Sequence, residues 1–293
     1  MAQLLASAPL LYALAKDALL SHGRFPDRCE HLVPPRSGLD LDGTRVAAAL
    51  HDELGLLMPI LEETQSWEWG PGRDCGDLLL RHADRFEAAV RTVVEAPAAR
   101  WWWEPLDRGR QTWLTPYDDA YPLPFDVDFA DGFTDGTAPR DALWTSTSVD
   151  GLPGVALFFG WDGQAEPPIA VWSLTVPETA RVYEIDNADD WLALCMGYPR
   201  DTTTWHAESW SNDLGVRGKR IVTPAWELVA EDWDGIHLSL AGLLTTTCRV
   251  LPVGEDTVTS VMRWHTETTA WFHPAFAAPE RLPDWPGPLP FPG

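Results

Sequence analysis

The hydrophobic pattern of the chain changes near residue 98, from a helical repeat to short apolar runs separated by turn residues. Between Leu79 and Val93, apolar residues recur at spacings of three and four with charged residues between them, which predicts a helix with one buried face. Asp77 is its predicted N-cap. Two leucine-rich sets before it, at 4–20 and 46–57, predict two further helices.

From Arg100 onward, the apolar runs are short, rich in Val, Ile, Leu and aromatic residues, and bounded by Gly, Pro and Asp, as is typical of β-strands. Short helices are predicted after Asn187 or Asp189 and after Thr223, and long polar loops at 117–139 and 201–220. The predicted strands are 100–103, 110–114, 142–149, 154–161, 169–176, 181–185, 236–240, 245–250 and 258–272.

These patterns predict an α+β protein in three parts. A helical N-terminal subdomain or cover occupies residues 1–98, and a β-rich domain occupies 99–273. Residues 274–293 form a tail that is too rich in Pro for a helix or a central strand, so we expect it to lie over the surface.

Composition excludes some classes of partner. The chain has 44 acidic and 21 basic residues, a formal net charge of −23, which repels nucleic-acid phosphates and anionic membranes. The charge still permits a local cationic pocket for a small phosphate-bearing molecule. The four cysteines are widely separated, so neither a zinc site nor a dense disulfide framework is expected, and a cytoplasmic location is the default.

Hydroxyl side chains dominate the predicted strand from Ala142 to Val149. Alternation places Ser146 and Ser148 on one face and Thr145 and Thr147 on the other, so hydroxyls line both faces. One face can present hydrogen-bonding groups to a polar ligand. An ordinary edge strand rich in Thr and Ser is the alternative, because Thr is a good strand former.

The last predicted strand contains a carboxylate between tryptophans. Alternation places Arg263, His265, Glu267 and Thr269 on one face. A half-buried charge needs a partner or a task, so Glu267 is either a site residue or a surface residue paired with Arg263. A metal site from His265, Glu267 and His273 is not predicted, because Pro274 interrupts strand pairing beside the third ligand.

The order of these features resembles the Arg/Ser-Thr-Ser/Glu class of the ADP-ribosyltransferase superfamily, over roughly residues 100–272. The matching residues are Arg100 before aromatic residues, then the Ser146-Thr147-Ser148 triplet, then Glu267 in a late strand. The resemblance implies a split, mostly antiparallel sheet that binds NAD in a cleft. It also implies a mono-ADP-ribosyltransferase, a glycosyltransferase that cleaves the bond between nicotinamide and ribose and passes ADP-ribose to an acceptor protein or small molecule.

Roles for individual residues follow from the same resemblance. Arg100, with Arg110 as its competitor, would hold the NAD phosphate or the nicotinamide ribose. Ser146 would steady Glu267 and the ribose, and Glu267 would accept a hydrogen bond from the ribose 2′-hydroxyl and stabilise the cationic centre. The further candidates for binding NAD are Trp144, Thr147, Ser148 and His265. The family has Gln or Glu two positions before the catalytic Glu, where this chain has His265, which is either a base or orienting group or an ordinary strand residue.

Two other functions fit the same composition. The 17 tryptophans and the hydroxyl-rich strand suit a non-catalytic binding module for a sugar, nucleoside or peptide. The acidic surface suits a protein that associates with a basic partner. An enzyme predicts Glu267 beside Ser146 and an Arg, whereas a binding module predicts several exposed Trp on one surface.

Overall fold

A seven-stranded sheet forms the centre of the computed structural model. The model describes residues 2–5, 7–8, 10–12, 14, 72–115, 138–139, 142–149, 153–154, 168–262, 264, 267–273, 276 and 279–285. Its strands are β1 (Gln111–Thr115), β2 (Leu143–Thr147), β3 (Ile169–Leu174), β4 (Val182–Ile185), β7 (Gly235–Leu238), β10 (Thr268–Trp271) and β11 (Glu280–Trp285). The order across the sheet is β11-β3-β1-β2-β10-β7-β4, and every neighbouring pair is antiparallel except β4 and β7.

A second, four-stranded sheet has the order β5-β6-β9-β8. Its strands are β5 (Pro199–Asp201), β6 (Arg220–Pro224), β8 (Leu251–Pro252) and β9 (Thr257–Thr259). The helices are α1 (Ala2–Leu5), α2 (Gly72–Arg81), α3 (Glu87–Glu95), α4 (Ala188–Gly197), α5 (Thr203–Asp213), α6 (Trp226–Asp232) and α7 (Leu240–Thr246). The predicted α+β class with mostly antiparallel sheets is confirmed at this level.

One face of the larger sheet packs on helices. Ile185, Ile236, Leu238 and Ala270 form a core with residues of α4, α6 and α7. Asn187 begins α4 by accepting from the backbone N–H groups of Asp189 and Asp190, and Ser239 begins α7 by accepting from that of Gly242. The buried apolar face of β4, β7 and β10 is thus covered by helices whose starts are fixed by local capping.

The residues from 72 to 95 are largely helical, as the apolar spacing predicts, but the helix boundaries differ from those expected. A single helix was expected through Leu79 to Val93, but a 3-10 helix at Ala83–Phe86 separates α2 from α3. Asp77 lies inside α2 and does not cap it. Phe86, Val90 and Val93 still share one core, so the apolar spacing predicted the buried face and not the helix boundaries. The predicted helix at 46–57 lies outside the described residues.

The predicted strand at 100–103 is wrong, because Pro97–Trp103 forms a 3-10 helix. Pro97 at its first turn favours a helical start. Trp102 is buried against Leu240 and Leu244 of α7, and this packing overrides the strand preference of aromatic residues.

Four boundaries after residue 200 also differ from prediction. The loop expected at 201–220 contains α5, whose Trp210 is buried. Thr223 is not a helix cap but lies in β6, and α6 begins after Ala225. The strand expected at 245–250 is replaced by the end of α7. The strand expected at 258–272 is two short strands, β9 and β10, with Glu267 in a turn before the second.

The C-terminal segment contributes an edge strand. β11 pairs with β3 at the edge of the larger sheet, with a register shift between Leu282 and Trp285 that accommodates Pro283. The tail expected over the surface therefore includes a strand of the larger sheet. Within the described ranges, no helix has both the length and the apolar character needed to cross a membrane.

Candidate active site

Three neighbouring strands bring the predicted Arg, Ser and Glu positions to one end of the larger sheet. β1 and β10 both run antiparallel to β2, so their first residues lie beside the last residues of β2. Arg110 directly precedes β1, Ser146 is the penultimate residue of β2, and Glu267 directly precedes β10. Positions far apart in the sequence meet at this end because of the strand order.

The Glu267 carboxylate is buried and is bound by two consecutive residues of β2. Its Oε2 atom accepts hydrogen bonds from the Ser146 hydroxyl and the Thr147 backbone N–H, each at 3.0 Å. Its Oε1 atom accepts from the Thr147 hydroxyl at 2.6 Å. Glu267 is 5% exposed, and these donors supply the partners that a buried carboxylate requires.

The backbone explains why Ser146 and Thr147, whose side chains leave β2 on opposite faces, both contact the carboxylate. The N–H of Ser148 donates to the Arg110 carbonyl on the β1 side, so the N–H of Thr147 is directed to the β10 side. There the carboxylate replaces a backbone acceptor. Glu267 has φ 44°, in the left-handed region, where a non-glycine residue costs roughly 1–3 kcal/mol. The hydrogen bonds of the carboxylate offset this cost.

A hydrogen-bond chain with a fixed direction ends on Glu267. The Trp271 indole N–H, which can only donate, binds the Thr145 hydroxyl at 2.9 Å. Thr145 donates to Gln111 Oε1 at 2.7 Å, and Gln111 Nε2 donates to the Thr147 hydroxyl at 3.0 Å. The Thr147 proton is therefore directed at Glu267. Gln111 Nε2 also donates to the Asp107 carbonyl at 3.2 Å, which fixes the amide orientation.

His237 of β7 connects Glu267 to a second carboxylate. Its Nε2 atom lies 3.3 Å from Glu267 Oε1, and its Nδ1 atom lies 2.5 Å from Glu184 Oε2. Burial alone would lower the pKa of His237, but the hydrogen bonds to Glu184 and Glu267 raise it to about 10. Both ring nitrogens have a carboxylate as their partner, which favours the cationic form of the ring at neutral pH.

Glu184 is the part of this set nearest to solvent. Its side chain is 29% exposed, against 3% for His237 and 7% for Glu267. Its Oε1 atom accepts from the Leu106 backbone N–H at 3.2 Å, which ties β4 to the segment before β1. The Glu267 carboxylate is therefore buried, the Glu184 carboxylate is partly solvated, and His237 lies between them.

The buried hydroxyl of Thr269 lies between Thr145 and His237. Thr269 pairs directly with Thr145 on one side and with His237 on the other, so the three residues share a face of the sheet. The Thr269 hydroxyl makes no hydrogen bond to any residue that the structure describes, although Thr269 is fully buried. A buried hydroxyl in this state costs about 1–3 kcal/mol.

Among the predicted site residues, Ser146, Thr147 and Glu267 are brought together and Arg100 is not. Arg100 lies in the 3-10 helix before β1, its side chain is 83% exposed, and it pairs with Glu104 at 3.2 Å. Its assignment to a first strand is wrong, because the segment is helical and β1 begins at Gln111. The strand expected at 110–114 is confirmed.

The remaining predicted site residues differ in their position relative to the Glu267 carboxylate. Arg110 is at the correct strand end, where its Nε atom binds Asp107 at 2.7 Å, and Ser148 is joined to it through the backbone. Trp144 packs edge-on against Trp264 in the core that faces the helices. Trp144 shares this face of β2 with Ser146, but its ring packs into the core and not at the strand end that carries Glu267. His265 lies outside the described residues.

Sequence reasoning missed Gln111, Glu184 and His237. Glu184 lies between Tyr183 and Ile185, and His237 lies between Ile236 and Leu238. A polar residue in the middle of an apolar run is a usable signal, because burial there demands a partner. Gln111 has no such signal, because it begins β1 between Arg110 and Thr112. The partners themselves depend on which strands are neighbours, which the local sequence does not encode.

In the part of the chain that the structure describes, no group of three or more His, Cys, Asp or Glu side chains has a geometry that could hold a metal ion. Comparison of the chain with protein-family models, with curated proteins and with solved structures gives no match. The geometry at Glu267 must therefore carry the functional argument.

Proposed function

We propose that this protein is a mono-ADP-ribosyltransferase, with an ADP-ribosyltransferase-like sheet, that uses NAD as its substrate. The observation that supports this most is the hydrogen bond of 3.0 Å between Ser146 and the buried Glu267 carboxylate. It joins the two residues that the family resemblance pairs, at a strand end that also carries Arg110.

The proposed chemistry uses the negative charge of Glu267. The bond between nicotinamide nitrogen and ribose C1′ breaks, its electron pair leaves with nicotinamide, and C1′ becomes an oxocarbenium-like cation. A fixed carboxylate in a site with little water stabilises that charge. An acceptor lone pair then forms the new bond to C1′, and the acceptor proton passes to solvent. Ser146 and Thr147 hold the carboxylate in one orientation throughout.

Arg110 replaces Arg100 as the proposed residue for binding an NAD phosphate or the nicotinamide ribose. Its pairing with Asp107 is half-exposed, so exchange of that partner for a phosphate would require little reorganisation. Thr147 and Ser148, at the same strand end, stay as candidates for contacts with the ribose. The acceptor, whether protein or small molecule, and a cytoplasmic location stay predictions.

The binding-module alternative predicts several exposed tryptophans on one surface. In the described part of the chain Trp205 is the exposed Trp, whereas Trp102, Trp191 and Trp271 are fully buried. Tryptophan burial therefore favours a core role for most of these residues, and the enzyme proposal is the one developed below.

Free nicotinamide is the product that tests the proposal, measured after incubation with NAD and a mixture of protein and small-molecule acceptors. We expect native protein to release it and Glu267→Gln to be slower by about 10²–10³-fold, because the amide keeps the shape and loses the charge. Glu231→Gln, an exposed substitution on α6, serves as the matched control and should match native protein. If native protein neither binds nor consumes NAD, the proposal is wrong; equal rates for native and Glu267→Gln would remove Glu267 from its role.

A further inference from the structure

We propose that His237, held by Glu184, is a positioning residue that fixes the Glu267 carboxylate for catalysis through an ion pair between its imidazolium and the two carboxylates. This inference rests on the proposed function for its catalytic meaning. The arrangement of the three side chains stands on geometry alone and can be tested separately.

Strand pairing leaves the imidazole ring little freedom. β7 lies between β10 and β4, and the register pairs His237 with Thr269 on one side and with Glu184 on the other. Glu184 holds Nδ1 at 2.5 Å, so the ring presents Nε2 to Glu267 Oε1 at 3.3 Å. Rotation of the ring would break its contact with Glu184. Because the His237 side chain is only 3% exposed, water could not replace that contact.

The charges explain why a histidine suits this position. Glu184 of β4, Asp186 directly after β4 and Glu267 before β10 are the titratable groups that face or influence His237. Both ring nitrogens have a carboxylate as partner, and only the doubly protonated ring can donate to both. With a neutral ring, one nitrogen lone pair would face a carboxylate. The cation also compensates the buried carboxylate of Glu267 and the partly exposed carboxylate of Glu184.

This role differs from that of a proton relay. Because both nitrogens already carry protons, His237 has no lone pair with which to accept a proton from Glu267. The ring therefore acts through the orientation and charge of Glu267 and has no assigned contact with the reacting atoms. Loss of the cation should lower kcat more than it changes KM for NAD.

Nitrogen NMR of the histidines tests the charge without requiring activity. We expect one of the eight histidines to stay doubly protonated well above neutral pH, and His237→Gln to remove that resonance. In Glu184→Gln, the resonance should titrate at lower pH by roughly one to three units, because one of the two anions is gone. A neutral His237 ring in native protein at pH 7 would overturn the proposal even if the enzyme is active.

Kinetics then test the positioning role. We expect His237→Gln to lower kcat for nicotinamide release by about 10²-fold, and the alkaline limb of the pH profile to move to lower pH in Glu184→Gln. His273→Gln, at an exposed histidine two residues after β10 whose ring contacts the Ala230 carbonyl, is the matched control and should leave rate and profile unchanged. An unshifted alkaline limb in a folded Glu184→Gln protein contradicts the inference. If native protein lacks NAD activity but NMR finds the doubly protonated ring, the proposed function fails while the ion pair stands.

Discussion

The two faces of the larger sheet differ most clearly at two consecutive residues of β7. Ile236 faces the helices, where it packs with Ala270 and the residues of α4 and α6. His237 faces the other way, between two carboxylates. Both side chains are almost completely buried, so the difference between them lies in chemistry and not in exposure.

We call the face that carries Ile236 the helix face and the face that carries His237 the site face. The helix face contributes mainly to stability, and the site face contributes mainly to the orientation of side chains. Apolar contacts on the helix face are favourable in many arrangements, because burial of apolar surface has no preferred direction. Hydrogen bonds on the site face have one arrangement each, from the Trp271 indole through Thr145 and Gln111 to Glu267. The helix face therefore stabilises the sheet, and the site face uses that rigidity to fix one carboxylate.

The largest expected effect comes from the helix face. Ile236→Ala should lower the free energy of unfolding by about 2–5 kcal/mol, because it removes a fully buried side chain and leaves a cavity. Leu228→Ala, which truncates an exposed residue of α6, is the control and should change stability by less than about 0.5 kcal/mol. Denaturant unfolding measures both. In the folded fraction of Ile236→Ala, nicotinamide release should fall far less than in Glu267→Gln; an equal fall would show that the two faces are not separable.

The sequence predicted well what local pattern controls. The strands β1, β2 and β4 follow from the local sequence, because strand preference and hydroxyl content are visible in short windows. Arg100 was misassigned because the burial of Trp102 is a tertiary contact with α7. The turn at Glu267 is not predicted, because a run of Thr and Trp residues gives no signal for a residue in the left-handed backbone conformation.

The rest of the site depends on strand order. His237 meets Glu267 and Glu184 only because β7 lies between β10 and β4, one antiparallel and one parallel neighbour. His237 is 30 positions from Glu267 and 53 positions from Glu184. Pairing between segments so far apart produces no periodic pattern in the sequence of either segment. The predicted alternation in β2 was sufficient to separate Thr145 from Trp144, but it could not indicate that both Ser146 and Thr147 would reach one carboxylate.

A smaller change in stability is expected when the same substitution, Thr to Val, is made at two paired positions of the site face. Thr145→Val should cost about 1–3 kcal/mol, since Gln111 and Trp271 each lose a buried partner. Thr269→Val, directly opposite, removes a hydroxyl that has no partner among the described residues and should stabilise the protein by up to about 1 kcal/mol. Thermal unfolding of both variants gives the comparison. A loss of stability in Thr269→Val as large as that in Thr145→Val would mean that the Thr269 hydroxyl is satisfied in solution.

The smallest expected change in stability measures the backbone strain at Glu267 separately from the contacts of its side chain. Glu267→Ala and Glu267→Gly lose the same carboxylate contacts, but only Gly relieves the strain of φ 44°. The Gly variant should therefore be the more stable of the two by about 1 kcal/mol. The same pair at Glu231, within α6, should have the opposite order, because Gly is the poorer helix residue by up to about 1 kcal/mol. If Ala is as stable as Gly at 267, the residue leaves the left-handed conformation once its carboxylate is gone. In that case the hydrogen bonds from Ser146 and Thr147, and not the chain on either side, impose the turn.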